Sequence, residues 1–343
     1  LFGGAVARRR AARIGRPHSD ADRSLGVLCA WEGWARGRNG EVRASYELLA
    51  EAVALLDGDD DLLAATGALG SLGLLLLQRG RYAEARAALE RSLALIQPRG
   101  LWFFTTLHTV FLVNVLIAEG EFAAARRWAA VALTYADTSR SPRAQLLARC
   151  GSALAANLSG RPAVGEEHAR AALARAATAS DPFGVALALL MLGLAARLQA
   201  QADEARYLLA ESAEACECVG DRWNQVRALV QLGMVEDATQ DIAAAGRTWR
   251  EALHVSLRHG LDGVALTAAV ELAALAAAER PAEALDLLLV LGARPEADAV
   301  ARARISAVCD QLITSLPAAG LGPPSTGHES LAAVLSGHPV FAG

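Results

Sequence analysis

The chain has 343 residues, 53% of them hydrophobic and 5% aromatic, and a formal net charge of −4, which offers no overall attraction to a polyanion. Alanine and leucine dominate while β-branched and aromatic residues are scarce, which argues against an all-β fold and against a mainly parallel sheet. All 33 basic residues are arginine, so no Walker A loop, kinase lysine or Schiff-base lysine can reside in this chain.

Residues 1–23 form a basic N-terminal segment or truncated helix, with Arg8, Arg9, Arg10, Arg13 and Arg16 as its cluster. Its basic residues follow a short apolar stretch, the reverse of a secretory signal. With no aromatic in the cluster, a solvated role is expected and direct nucleic-acid binding is not.

From residue 24 to 315 a forty-residue repeat organises the chain. Gly40, Gly80, Gly120, Gly160, Ala200, Gln240 and Arg280 recur at a spacing of 40. A small-residue column follows at Ser45, Ala85, Ala125, Gly165, Ala205 and Ala245, and another precedes at Gly33, Gly73, Val113, Ala153, Gly193, Gly233 and Ala273. One period held by three columns marks a repeat architecture. Leu69, Leu72, Gly73 and Leu76 share one face of a first helix. Gly80 ends it where a left-handed residue costs least. Tyr82, Ala85, Leu89 and Leu93 form the inner face of a second helix. Breakers at Pro98–Gly100, Ser141–Pro142, Asp181–Pro182, Gly220–Asp221 and Gly260 predict that helices restart once per period.

Residues 101–118 carry no Asp, Glu or Arg and reach the lower length limit of a membrane span. Their threonines, His108 and Asn114, and their register with the repeat, read as a buried repeat helix. Residues 316–343 form a Pro/Gly-containing tail with a short helix expected at Glu329–Leu335.

The columns Leu69, Leu72, Gly73, Leu76, Gly80, Tyr82, Ala85 and Leu89 resemble the tetratricopeptide repeat (TPR), although its period is about 34 residues. The segment from Cys218 to Trp223, followed by Ala228–Gly233, resembles repeats in the C-terminal part of bacterial signal-transduction ATPases and LuxR- or SARP-type transcriptional regulators. The run from Glu271 through Leu285 resembles their terminal repeat. The resemblance implies an all-α fold, an elongated α-α superhelix of about seven helix-turn-helix pairs. It also implies a non-catalytic scaffold that senses a ligand or binds protein, as the cytoplasmic regulatory region of an ATP-dependent regulator. A stand-alone TPR adaptor that assembles other proteins is the alternative.

In such a superhelix the first helices line the groove. Their columns here are apolar, with Asn114, Asn157, Arg197, Arg227 and Asp237 as the polar points expected to meet a partner. An apolar groove with few polar groups suits a protein or peptide partner, another domain of the same parent protein, or a small-molecule inducer. The alternative is that the helices bury these residues in a tighter superhelix. The carboxylate-clamp version of the repeat needs lysine in a column that reads Gly70, Val110, Cys150, Leu190 and Val230. Catalytic, cofactor and metal sites are not expected: GxSxG, GxGxxG and HExxH are missing, and Cys216 and Cys218 would point apart on a helix. The five cysteines read as reduced thiols.

Overall fold

The computed structural model describes residues 20–38, 41–56, 61–315, 330–338 and 340. The arginine cluster of residues 8–16, Gly40 and most of the C-terminal tail lie outside them. Among the described residues all regular structure is helical. Seven helix pairs follow one another: α1 (Asp20–Arg38) with α2 (Val42–Leu55), α3 (Leu62–Gln78) with α4 (Tyr82–Ile96), α5 (Trp102–Ala118) with α6 (Phe122–Ser139), and α7 (Pro142–Leu158) with α8 (Pro162–Thr178). They continue with α9 (Pro182–Leu198) and α10 (Ala202–Cys218), α11 (Arg222–Ala238) and α12 (Ile242–Arg258), and α13 (Asp262–Ala276) and α14 (Pro281–Gly292). Helices α15 (Ala299–Ser315) and α16 (Leu331–Gly337) end the series. The first helix begins inside the stretch expected to be a basic segment. The last starts two residues later than expected, where the Ser330 hydroxyl accepts the Ala333 N–H at 3.2 Å.

Local chemistry sets the period. Positive φ occurs at Gly80, Gly100, Gly120, Arg140, Gly160, Ser180, Ala200, Gly220, Gln240 and Gly260, one residue in every twenty. From α3 to α12 each half-repeat is therefore one helix closed by one left-handed residue. At the first of them Gly80 N–H donates to Leu77 O at 3.0 Å and Arg81 N–H to Leu76 O at 2.9 Å, satisfying carbonyls that a helix end leaves free. Helices restart on side-chain caps: Asp61, Ser141, Asp181, Asp221 and Asp241 accept from the N–H three residues on. Arg280 departs from its column. Its φ is −132° and it precedes Pro281, which disfavours helical backbone in the residue before it.

Packing explains the small columns. A Cβ on Gly73 would lie 2.6 Å from Leu89 Cγ, one on Gly193 equally near Leu209 Cγ, and Gly233 lies under Trp249 in the same way. The first helix thus leaves a hollow for the side chain sixteen residues on. Where it carries Val113 or Ala153 instead, the residue sixteen on is Ala129 or Ala169, both buried. Val113 with Ala129 keeps about the volume of Gly73 with Leu89, as close packing favours, whereas Ala153 with Ala169 is smaller and Gly233 with Trp249 larger. Helix α5 is central to this core. Its Thr105, Thr106 and Thr109 hydroxyls donate back to Leu101, Trp102 and Thr105 carbonyls. Buried His108 bonds Ser92 Oγ through Nδ1 at 2.8 Å, filling the space above Gly70. No described helix is long and apolar enough to cross a membrane.

The superhelix is not simply elongated, because its C-terminal part returns to the first repeats. Tyr82 donates to Glu296 O at 3.0 Å, and Arg79 lies 3.8 Å from Asp262. Gly260 packs near Val42 and Gly120 near Ala299. Gly80 approaches so closely that a Cβ there would lie 2.7 Å from Glu296 Cα. Glycine at the inter-helix turn permits backbone-to-backbone approach.

Candidate functional site

The turn frames a half-open cavity of about 150 Å3 on the inner side of the first helices. Five consecutive first helices, α3 to α11, contribute to its wall, and α13 and the α14–α15 segment complete it. Leu77, Ile117, Leu154, Leu158, Leu190 and Met234 make it apolar. Asn114, Arg227, Gln231, Thr267 and Asp298 supply the polar groups, with Tyr82 and Trp223 as the aromatic ones.

Two of the five polar residues expected in the groove line this cavity. Asn114 is half-buried on α5, its Nδ2 donating to Val110 O at 2.9 Å. Arg227 is half-buried on α11 with its guanidinium carbon 4.8 Å from the Trp223 ring centre, where cation–π attraction holds it. Its Nη1 donates to Asn224 Oδ1 at 2.9 Å. Burial pushes the Arg227 guanidinium down to about 10, opposed by the charges of Asp221, Cys216 and Asp298.

The other three lie elsewhere. Asn157 is 1% exposed between helix layers, and its Nδ2 donates to Met191 O on α9 at 3.0 Å. Arg197 stands behind the wall and donates through Nε to Gln231 Oε1 at 2.8 Å. Burial lowers it too, against the attraction of Glu271. Asp237, half-buried toward the end of α11, raises the affinity of nearby Glu271 for its proton. Burial is the main cause of that rise, and Arg304, whose Nη2 is 3.0 Å from Glu271 Oε2, opposes it while tying α15 to α13. The column beginning at Gly70 also divides. Leu190 and Val230 reach the cavity, whereas Gly70 is covered by His108 and Cys150 is buried.

Sequence reasoning missed Trp223, Gln231, Tyr82, Thr267 and Asp298. The first two carried a signal: Trp223, Arg227 and Gln231 recur every four residues and share one face of α11. Tyr82 and Asp298 carried none, since only closure brings them to one wall. Asp298 accepts the Ala301 N–H at 2.7 Å, capping α15, and burial raises its carboxyl.

Among the described residues no group of three His, Cys, Asp or Glu side chains could hold a metal ion. Cys150 and Cys216 are buried, and burial pushes both thiols up to about 12. Such thiols are poor nucleophiles at neutral pH.

No protein-family model and no curated protein sequence matches this chain. Among solved structures it is similar to a Rap protein complexed with Competence and Sporulation Factor, with a TM-score of 0.54 at 12% identity over 85% of this chain and 99% of that one. The chain has a TPR-like α-α superhelical fold. Lesser likenesses are to a single-substitution form of a Podosopora anserina putative kinesin light chain with nearly identical TPR-like repeats (TM-score 0.45, 17% identity, 58% of this chain and 97% of that one) and to the apo form of RapI (0.44, 11%, 87% and 99%). Identities this low speak for the fold alone.

Proposed function

We propose that this chain is a non-catalytic sensing scaffold, the cytoplasmic regulatory region of a bacterial ATP-dependent signalling or transcriptional regulator of the LuxR or SARP kind. An inducing ligand or peptide enters the concave side, and a protein partner, such as another domain of the same parent protein, reads the result. The observation that carries this reading is the cavity, whose walls come from five successive repeats and from the segment that closes on them. Occupancy and closure therefore share residues, notably Tyr82 and Asp298. A ligand that fits only the closed form shifts the superhelix by its differential affinity. The similar Rap protein is complexed with Competence and Sporulation Factor, which supports a ligand-binding reading by analogy of fold.

A stand-alone adaptor is favoured by one separate feature. On α1, Leu28 and Trp31 are 66% and 63% exposed, with Trp34 packed edge-on to Trp31 at 6.3 Å. The residues one and more periods after Leu28, such as Ala68, Ala148 and Ala188, are buried against the preceding repeat. A partner protein seated on this face would extend the stack.

The two readings separate in one experiment. The reading frame upstream of Leu1 is expressed with this chain attached. A Walker A region whose ATP turnover changes with the chain present supports the regulator. An upstream frame without nucleotide-binding motifs, or substrate turnover by the isolated chain, overturns it.

A further inference from the structure

Among the described residues that line the cavity, Arg227 is the one cation and Asp298 the one anion. The two are not an ion pair. The nearest acidic side chains are engaged elsewhere: Asp298 accepts from Ala301 N–H at 2.7 Å, and Asp221 accepts from Asn224 through its N–H at 3.2 Å and its Nδ2 at 2.7 Å. The Arg227 guanidinium has five N–H donors, and its hydrogen bond is to Asn224. Its other donors have no hydrogen-bond partner among the described residues, and the cavity that Arg227 lines has leucine and methionine walls, where an unmade hydrogen bond is costly. Two half-satisfied amides share the cavity. Asn114 uses its Nδ2 on Val110 and Gln231 its Oε1 on Arg197, leaving an acceptor and a donor open.

We propose that the cavity is a binding site for a small apolar monocarboxylate, with the carboxylate paired to Arg227 and the hydrocarbon body against Leu154, Leu190, Met191 and Met234. The proposal rests on the sensing reading above and names its ligand class. A carboxylate matches the planar guanidinium fork with two parallel hydrogen bonds. One negative charge is the limit, because a single cation faces it and Asp298 stands in the same wall. Size sets the body: a cavity of about 150 Å3 holds a benzene-sized molecule. A single aromatic ring or a short alkyl chain fits. Trp223, stacked with Arg227, places an optical probe at the site.

The test titrates the full chain with benzoate, phenylacetate and hexanoate, and with benzamide, phenylacetamide and hexanamide, by calorimetry and tryptophan fluorescence. The acids are expected to bind about tenfold tighter than the matching amides, the scale of one charged hydrogen-bond pair. In Arg227→Gln the preference should vanish. Leu190→Trp, which fills the cavity, should abolish both. Equal binding of acids and amides to the wild type, no binding of any acid at millimolar concentration, or a preference that survives Arg227→Gln overturns the proposal. Should Arg227→Gln fail to fold by circular dichroism, the wild-type comparison and Leu190→Trp still decide. Acids that bind without altering the ATP turnover of the attached region leave the site standing and defeat the sensing reading. An inducing peptide bound without preference for a free carboxylate does the opposite.

Discussion

Replacing Gly80 with alanine probes the closed superhelix, and Gly160→Ala is its matched control. Both glycines end a first helix with nearly the same left-handed backbone, φ 72° and 75°. Alanine costs about 1 kcal/mol in that conformation, and Ala200 shows that the same turn tolerates it at φ 59°. Their surroundings differ. At Gly160 a Cβ would meet nothing within 4 Å, whereas at Gly80 it would lie 2.7 Å from Glu296 Cα and 2.8 Å from Glu296 Cβ. Backbone cannot swing aside as a side-chain tip can, so the closing segment must retreat. Overpacking of this kind costs about 1–3 kcal/mol. The Tyr82–Glu296 hydrogen bond, worth about 1 kcal/mol, weakens with it. The Arg79–Asp262 pair is partly exposed and adds little. Gly160→Ala should therefore lose about 1 kcal/mol and Gly80→Ala about 2–4 kcal/mol. Urea unfolding followed by circular dichroism measures both losses, and small-angle scattering measures closure. Gly80→Ala should show the larger radius of gyration. Equal losses with identical scattering would refute the reasoning, because the closing contact would then contribute nothing.

Burial holds His108 down to about 4, against its ordinary 6.5. The unfolded chain therefore binds one more proton between those values, and stability falls as pH drops from about 6.5 to about 4, by roughly 3 kcal/mol in all. Stability of the wild type relative to His108→Gln should decline across that window, and a difference independent of pH would contradict the assignment. Gly73→Val and Leu89→Ala should each destabilise, by about 1–3 and 2–5 kcal/mol. The double variant, which copies the Val113 and Ala129 pairing, should lose at least about 1 kcal/mol less than their sum in a double-mutant cycle; strict additivity would argue against volume exchange. Asn157→Ala should cost about 1 kcal/mol through its lost bond to Met191 and leave carboxylate affinity unchanged. A change in affinity without a change in melting would return Asn157 to the groove.

Much of the fold was legible because its rules are local. Gly80, Gly120 and Gly160 announce left-handed turns, and Asp181–Pro182 announces a capped helix start. The small column announces close helix pairs, since Gly73 and Leu89 belong to neighbouring helices joined by one tight turn. Arg140 and Ser180 take the same left-handed conformation without glycine, and there only the period betrays them. The candidate site was half legible. Asn114 and Arg227 stand in groove columns and in the cavity wall, while Asn157 stands in a column and is buried. Helical phase tells which face a residue shares, and the tilt between adjacent repeats tells whether that face is open.

The sequence by itself determined the helical class, the forty-residue repeat and the pairing of each first helix with its second. Those follow from contacts between residues close in the chain. Tertiary structure alone decided that the superhelix closes, bringing Tyr82 to Glu296 across 214 positions and Asp298 into the same cavity as Arg227. Closure sums small rotations from many repeats, and no single residue encodes that sum. The missing lysine excludes a Walker A loop from the chain. The closed fold places Arg227 in the cavity wall.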